Sequence, residues 1–443
     1  MFGWFKPACP LATAEKVWVE RRMAWLAATL GADRLKNAPV IEPTDEFFPE
    51  EYEQQTPDAE RIFRKTCRWM SIDPQRVQLE IRERISEEDP LGQYFQGTPS
   101  RVLVRSSELA DPESLVATIA HELAHEVLLG GGHLQDNNED LERLTDLATV
   151  YFGLGIFSAN SKIREKTERE GRFSWWSISK QGYLPLRMYG YGLALFVWAR
   201  GEKQPAWSEH LRLDARDAMS KGERFLWKTG DSVFHIEAPN CDADPNVAVE
   251  RLSHPSRSFQ YLGLWELSEH GPVPEPALDR VVSLTHDHDP DLSSMAARLL
   301  GAIGKPAERH AMRLADMLGN RAAGNREQAA LALGEILAGD PQIPRELMRL
   351  LDDDHPEVVR AAAYALGNYG PQAQAAVNAI LKPFRDSLVN CDYESSDALA
   401  SALLRIVPDA TARVREYLAD FDDELCQHAV EYLAEVQKSS QSE

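Results

Sequence analysis

The chain has 443 residues, which is too long for a single hydrophobic core and predicts two or three domains. Its 48 basic and 70 acidic residues give a net charge of −22, and such a surface repels phosphate backbones and anionic lipids. This charge balance disfavours nucleic acids and membranes as partners.

The cysteines and the apolar segments indicate a cytoplasmic protein. The five cysteines are scattered and never form a Cys-x-x-Cys pair, which favours free thiols in a reducing compartment and argues against a thiolate zinc site. The N-terminal stretch lacks the basic start, apolar run and cleavage site of a signal peptide. The apolar runs Leu147–Phe157 and Tyr189–Ala199 are too short to span a bilayer.

The beginning of the chain predicts two helices and two short strands. Apolar residues at helical spacing predict a helix over 14–30, which Gly31 would end. A second helix is expected over 56–70, where a threonine N-cap is followed by a proline. The alternating pattern of 77–82 predicts a half-exposed strand, and 101–105 predicts a second strand.

A well-capped helix is expected next. Asp111 is a good N-cap, Pro112 suits the first helical position, and the glycines at 130–132 would end the helix. Another helix is expected from about 137 to 152. The Trp- and Tyr-rich segment 171–270 is expected to be helical, with its aromatic side chains in a core.

From about residue 277 the sequence repeats with a period in the thirties. Three Ala-Leu-Gly-type units begin at alanines 33 residues apart, and two weaker copies follow: Ala296–Gly301, Ala329–Gly334, Ala362–Gly367, Ala400–Leu404 and Ala429–Leu433. Such a period with two helices per unit predicts an α-solenoid. The segment 355–362 resembles the turn of short bacterial HEAT repeats, and the resemblance covers about a third of the chain.

The residues that carry chemistry form a His-Glu-x-x-His motif. Positions i and i+4 share one helix face, so His121 and His125 can reach one tetrahedral zinc ion. Glu122 flanks the open coordination position, where it can accept a proton from a metal-bound water. Two histidines and a glutamate inside an apolar helix are costly without partners, and a metal ion removes that cost.

The third ligand is expected on the following helix, where Glu139, Glu142 and Asp146 share one face. The motif with its downstream Glu-x-x-x-Asp element resembles the gluzincin metallopeptidases, the thermolysin-like group, over roughly Asp111–Gly155. The resemblance implies that Glu142 ligates one Zn²⁺ per chain and that Asp146 holds the distal nitrogen of His121. Glu139 remains the main alternative third ligand.

A peptidase also needs an oxyanion-stabilising residue and a place for the substrate, and the sequence shows no clear match to the Tyr and His residues that stabilise the oxyanion in gluzincins. The oxyanion candidates by residue type are His133, Tyr183, Tyr189 and Tyr191. Tyr151 is a poor candidate, because nine residues from Glu142 places it on the opposite helix face. The strand Val102–Val104, just ahead of the motif helix, is a candidate to pair with an extended substrate.

These elements predict a mainly α-helical protein. A zincin-like α+β domain with a small sheet is expected over 1–170, completed by a helical extension over 171–275. A HEAT-like α-solenoid is expected over 276–443, where a substrate or partner protein would bind.

Two functions are compatible with these patterns. The first is a zinc-dependent hydrolase, a peptidase that acts on protein or peptide substrates. The alternative is a non-catalytic, zinc-stabilised interaction module, in which His133 or Glu139 closes the site as a fourth ligand. The enzyme is favoured because structural zinc sites usually use cysteine, whereas catalytic sites use His and Glu with a water.

Overall fold

The computed structural model describes residues 7–48, 50–83, 90–135, 140–161, 184–234, 244–270, 273–419, 421 and 423–439. The chain forms two compact units, Met1–Asp242 and Ala243–Glu443. The division between the units falls inside the segment 171–275.

The first unit is mainly helical. Its helices are α1 (Thr13–Leu30), α2 (Ala32–Asn37), α3 (Thr56–Trp69), α4 (Pro112–His125), α5 (Leu141–Tyr151), α6 (Leu186–Ala199) and α7 (Leu213–Thr229). A further helical stretch covers 155–161. The helices predicted over 14–30 and 56–70 are confirmed, and Gly31, with φ of 110°, ends α1.

A three-stranded sheet accompanies these helices. Its strands are β1 (Val77–Arg82), β2 (Gly92–Phe95) and β3 (Ser100–Arg105). Strand β3 lies in the middle, parallel to β1 and antiparallel to β2. The expectation that Val102–Val104 pairs with a substrate is therefore wrong, because both edges of β3 already carry a strand. Strand β2 was not predicted, since four residues next to Gly and Pro give little alternation.

Helix α4 carries the motif, and its caps explain its position. The Asp111 side chain accepts hydrogen bonds from the backbone N–H groups of Glu113 and Ser114, and Pro112 occupies the first turn. After α4 the backbone widens into a π-helical turn over Glu126–Gly130. A single π-helical turn of this kind is frequent at functional sites.

Helix α5 is fastened to α1 at its start. The Asp140 carboxylate accepts hydrogen bonds from Trp18 Nε1 at 3.0 Å and from Arg22 Nε at 3.1 Å. Helix α5 also packs against α4, and both bury apolar faces in one core. These contacts set the first turn of α5, which carries Glu142, beside the motif.

The second unit consists of paired helices. They are α8 (Pro245–Leu252), α9 (Arg257–His270), α10 (Glu275–Leu284), α11 (Pro290–Ile303), α12 (Ala311–Met317), α13 (Ala323–Ile336), α14 (Gln342–Arg349), α15 (Pro356–Tyr369), α16 (Val377–Val389), α17 (Tyr393–Ile406), α18 (Ala410–Leu418) and α19 (Asp423–Ser439). Equivalent helices α11, α13, α15 and α17 pack in succession. The predicted α-solenoid is confirmed.

The repeated Ala and Gly residues account for this close packing. A Cβ atom at Gly301 would lie 2.9 Å from Cα of Ala332, and one at Gly334 would lie 2.7 Å from Cα of Ala365. Such separations are below any real Cβ contact, so only glycine permits the approach. No helix in the described part of the chain has the length and apolarity needed to cross a membrane.

Candidate metal centre

Three side chains from α4 and α5 converge on one point. His121 and His125 lie one turn apart on α4, and Glu142 lies in the first turn of α5. Their ligand atoms all fall within 4.8 Å of one another. Nε2 of His121 is 3.2 Å from Oε2 of Glu142, and Nε2 of His125 is 3.5 Å from Oε1 of the same carboxylate.

This geometry fits one zinc ion. Two ligands of a tetrahedral zinc ion, each about 2.0–2.1 Å from the metal, lie about 3.3–3.4 Å apart. The nitrogen–oxygen distances of 3.2 and 3.5 Å match that separation. Two imidazoles and a carboxylate are also a donor set typical of catalytic zinc sites. The three residues therefore supply a donor set that suits a metal ion.

The outer nitrogen of each imidazole is held by a neighbour on α5. Nδ1 of His121 lies 2.9 Å from Oδ1 of Asp146, and a carboxylate there requires that Nδ1 carry the proton. Nδ1 of His125 lies 3.5 Å from Oγ1 of Thr145, whose hydroxyl donates to the carbonyl of Leu141. These partners fix the orientation of both rings and leave each Nε2 directed at Glu142, so that each Nδ1 can keep its proton when Nε2 binds a metal.

Asp146 is itself fixed in place. Its side chain is 3% exposed, and its Oδ2 accepts a hydrogen bond from the backbone N–H of Leu184 at 2.9 Å. Burial lowers the pKa of His121, but the hydrogen bonds to Asp146 and Glu142 outweigh it and raise that pKa to about 10. Burial raises the pKa of Glu142, yet the two histidines outweigh it and hold that pKa below its ordinary value.

Glu122 lies beside this group in a buried position. Its side chain is 6% exposed, and burial raises its pKa above the ordinary value despite the neighbouring histidines. Oε1 of Glu122 lies against strand β2, where a Cβ atom added at Gly92 would be only 2.6 Å away. A buried carboxylate with a raised pKa is a stronger base than an exposed one.

The other residues singled out from the sequence lie elsewhere. Glu139 and Tyr183 fall outside the described residues. His133 is exposed in the turn after the π-helical segment and does not belong to the three-residue group. The hydroxyl of Tyr189 donates to the backbone carbonyl of Asp146, and that of Tyr191 donates to Glu20. The hydroxyl of Tyr151 donates to the carbonyl of Gly31.

Two residues at the site were not anticipated from the sequence. The ring of Tyr94, on β2, stacks on His125 with an interplanar angle of 15° and centroids 6.0 Å apart. The Tyr94 hydroxyl donates to Oε2 of Glu126 at 2.8 Å, and Glu126 is buried directly after the motif. A glutamate directly after the His-Glu-x-x-His motif was the one available signal, because a carboxylate in an apolar helix needs partners.

Comparisons with known proteins bear on the second unit. Residues 311–390 match the family described as HEAT repeats, which confirms the predicted repeat type over those residues. A comparison with curated proteins finds no match.

Among solved structures, the chain is similar to several solenoids. One is the complex of CpcE and CpcF of phycocyanin lyase from Nostoc sp. PCC7120, at 24% identity over 43% of this chain and 76% of that chain, with a TM-score of 0.34. Another is a designed armadillo repeat protein in complex with the peptide (KR)4, at 16% identity over 44% and 99%, with a TM-score of 0.33. A third is an engineered protein, at 23% identity over 44% and 97%, with a TM-score of 0.34.

Proposed function

We propose that the first unit is a zinc-dependent hydrolase that cleaves peptide bonds in protein or peptide substrates. The observation that carries the proposal is the convergence of Nε2 of His121 and Nε2 of His125 on the two oxygens of Glu142, with the buried Glu122 carboxylate beside them. The proposed cofactor is one zinc ion per chain, held by the two histidines and Glu142.

The residues divide the proposed chemistry between them. When bound, zinc supplies a Lewis acid that polarises a carbonyl and activates a water. The Glu122 carboxylate takes a proton from the attacking water and returns it to the departing amine. Asp146 holds His121 in the required tautomer throughout, because its own position is fixed by Leu184.

Strand β2 is the proposed place for the substrate backbone. Among the described strands it lies at an edge of the sheet, and edge strands bind extended peptides through their main chain. Gly92 on β2 contacts Glu122, so a peptide paired with β2 would run alongside the proposed base.

The second unit is the proposed docking part. A solenoid presents an extended surface suited to protein interaction. Residues 243–443 contain 18 basic and 32 acidic residues, so this unit carries most of the negative charge of the chain. We expect its partner or substrate to be a protein, and the charge disfavours nucleic acid.

One observation favours the alternative of a non-catalytic, zinc-stabilised scaffold. The family match covers helical pairs alone, over residues 311–390. Against this alternative, the Glu142 side chain is 37% exposed, so solvent and a substrate can reach the group of ligands. A closed structural site would bury its ligands.

The test pairs metal content with activity on an unstructured protein. Wild type and Glu122→Gln should each bind about one zinc, because the base is not a ligand. Glu122→Gln should lower kcat by about 10²–10⁴-fold, because the amide cannot accept the proton. Glu113→Gln removes an exposed charge from the same helix and should leave both quantities unchanged.

Three outcomes of the same measurements would count against the proposal. Cleavage by Glu122→Gln at the wild-type rate would remove Glu122 as the base. His125→Ala should lose zinc, and full zinc occupancy in that variant would remove the metal centre itself. A wild-type protein that holds zinc but cleaves nothing would leave the scaffold as the function.

A further inference from the structure

Strand β2 lies along α4, and the residues that meet across the contact are spaced at nearly the same distance along the strand and along the helix. Glu122 and Glu126 are four residues apart on one face of the helical turn, a rise of about 6 Å. Gly92 and Tyr94 are two residues apart on one face of the strand, a rise of about 6.7 Å. Each strand residue therefore meets one glutamate: Gly92 meets Glu122, and Tyr94 meets Glu126.

At the first of these contacts there is no room for a side chain. A Cβ atom at Gly92 would lie 2.6 Å from Oε1 of Glu122 and 2.6 Å from Cγ2 of Thr118. The backbone at Gly92 is opposite Val104 in the sheet and so cannot shift freely. The absence of a side chain is what lets the Glu122 carboxylate occupy its position.

At the second contact the strand is anchored by hydrogen bonds. Oε2 of Glu126 accepts from the Tyr94 hydroxyl at 2.8 Å and from the Ser100 hydroxyl at 2.6 Å. Ser100 belongs to β3, so one carboxylate holds two neighbouring strands. Gly130 makes room here, since a Cβ atom there would lie 2.3 Å from Oε2 of Glu126 and 2.9 Å from the Tyr94 hydroxyl.

We propose that Gly92 is a positioning residue for Glu122, and that the bonds of Tyr94 and Ser100 to Glu126 hold β2 at the register that places Gly92 there. The inference rests on the proposed function for its effect on catalysis, but not for the contact itself. Gly92 confines the Glu122 carboxylate between β2 and α4, next to the metal ligands. A methyl group at position 92 would push that carboxylate aside.

The first test measures kcat, KM and zinc affinity for Gly92→Ala. Zinc affinity should stay near the wild-type value, because the atoms nearest a Cβ at position 92 belong to Glu122 and Thr118 and not to a proposed ligand. The kcat value should fall about 100-fold, the loss expected for a catalytic group displaced by about 1 Å, with KM little changed. Gly324→Ala is the matched control, since a Cβ atom there meets nothing within 4 Å.

Thr118→Ser provides a rescue. It removes the Cγ2 atom that crowds position 92 and keeps the hydroxyl that donates to Glu108 at 3.0 Å. In the Thr118→Ser background, Gly92→Ala should lose less kcat than in the wild-type background, because the clash with Thr118 Cγ2 is gone and the methyl group can move away from Glu122. Wild-type kcat in Gly92→Ala alone would overturn the proposal.

A double-mutant cycle, measured by thermal unfolding, tests this inference independently of the proposed function. Gly92→Ala should lower Tm in the wild-type background and lower it less in Glu122→Ala, where the crowding Oε1 and Cγ atoms are gone. An equal loss in both backgrounds would overturn the positioning role. If the wild-type protein cleaves nothing, the proposed function fails, and this cycle alone decides the role of Gly92.

Discussion

In both units glycine lets another part of the chain approach its backbone closely. In the second unit such glycines recur at a fixed interval, whereas in the first they do not. In the second unit Gly301, Gly334 and Gly367 recur at 33-residue intervals, and each admits an alanine of the next repeat. In the first unit Gly92 and Gly130 each occur once and admit a carboxylate. A repeated packing contact is visible in a sequence as a period, whereas a single contact leaves no pattern.

The two units also differ in what they bury. Of the described residues in the second unit, the buried carboxylates are Glu266 and Glu357. The described residues of the first unit include many more buried acidic, basic and histidine side chains: Lys16, Glu20, Asp58, Arg105, Glu108, Glu122, His125, Glu126 and Asp146. Burying a charge is costly unless it is paired, so the first unit depends on polar partners and the second on apolar contact.

The largest effect is expected from Glu20→Ala in the first unit. Glu20 accepts hydrogen bonds from the Tyr191 hydroxyl and the Val233 N–H, both at 2.6 Å, and lies 3.3 Å from the buried Lys16 ammonium. Its removal leaves these donors short of an acceptor and should lower the free energy of unfolding by about 3–5 kcal/mol. Denaturant titration measures the loss.

An exposed ion pair is the matched control for that change. Asp217 and Lys221 are paired on the surface of α7, with side chains more than half exposed. Asp217→Ala should change the free energy of unfolding by less than about 1 kcal/mol. Equal losses for the two variants would show that burial is not what makes the first unit depend on its polar partners.

A smaller effect is expected from Gly334→Ala in the second unit. The new Cβ would lie 2.7 Å from Cα and 3.0 Å from Cβ of Ala365, so adjacent repeats must separate. Overpacking of this kind should cost about 1–3 kcal/mol. Gly324→Ala, on the same helix but in open space, should be neutral or slightly stabilising.

Measuring zinc content in the same variant shows whether a change in the second unit affects the proposed metal centre of the first unit. Gly334→Ala should bind zinc as wild type does, because it alters contacts between repeats only. Lost zinc would show that the integrity of the repeats is required for the metal centre. Unchanged stability would show that the repeats adapt without separating.

The sequence predicted the site and the solenoid for different reasons. His121, His125, Glu142 and Asp146 follow helical spacing within two neighbouring helices, so their convergence could be expected from local geometry. The solenoid followed from its period. The first inference needed only local helical spacing, and the second needed only a pattern that recurs along the chain.

The rest depends on contacts between distant parts of the chain. Tyr94 reaches Glu126 across 32 positions, and nothing in the alternation of 92–95 predicted a strand there. The strand over 101–105 was predicted, but its central place in the sheet depends on that missing neighbour. Local patterns could therefore identify the candidate metal ligands but not the strand that lies beside Glu122.

A further expected effect concerns the pH dependence of zinc affinity. The pKa of His121 is raised to about 10 from an ordinary 6.5, so its extra stabilisation of the metal-free fold is present below about pH 6.5 and is lost as pH rises towards 10. Zinc must displace that proton, so its affinity should rise about tenfold per pH unit between pH 6.5 and 8.5. If His121 had the pKa of a free imidazole, zinc affinity would not change with pH above about pH 7.5.

Asp146→Asn tests the cause of that slope. The asparagine amide carries no charge, so it should hold the proton on His121 less tightly and lower the pKa of that imidazole. Zinc affinity should therefore stop rising with pH at a lower pH than in wild type. Zinc affinity should also fall about 10–100-fold, because the imidazole loses the carboxylate that orients it. Competition with a chromophoric chelator measures both quantities. A slope that survives unchanged in Asp146→Asn would assign the proton to a group other than His121, and the role of Asp146 would reduce to its bond with Leu184.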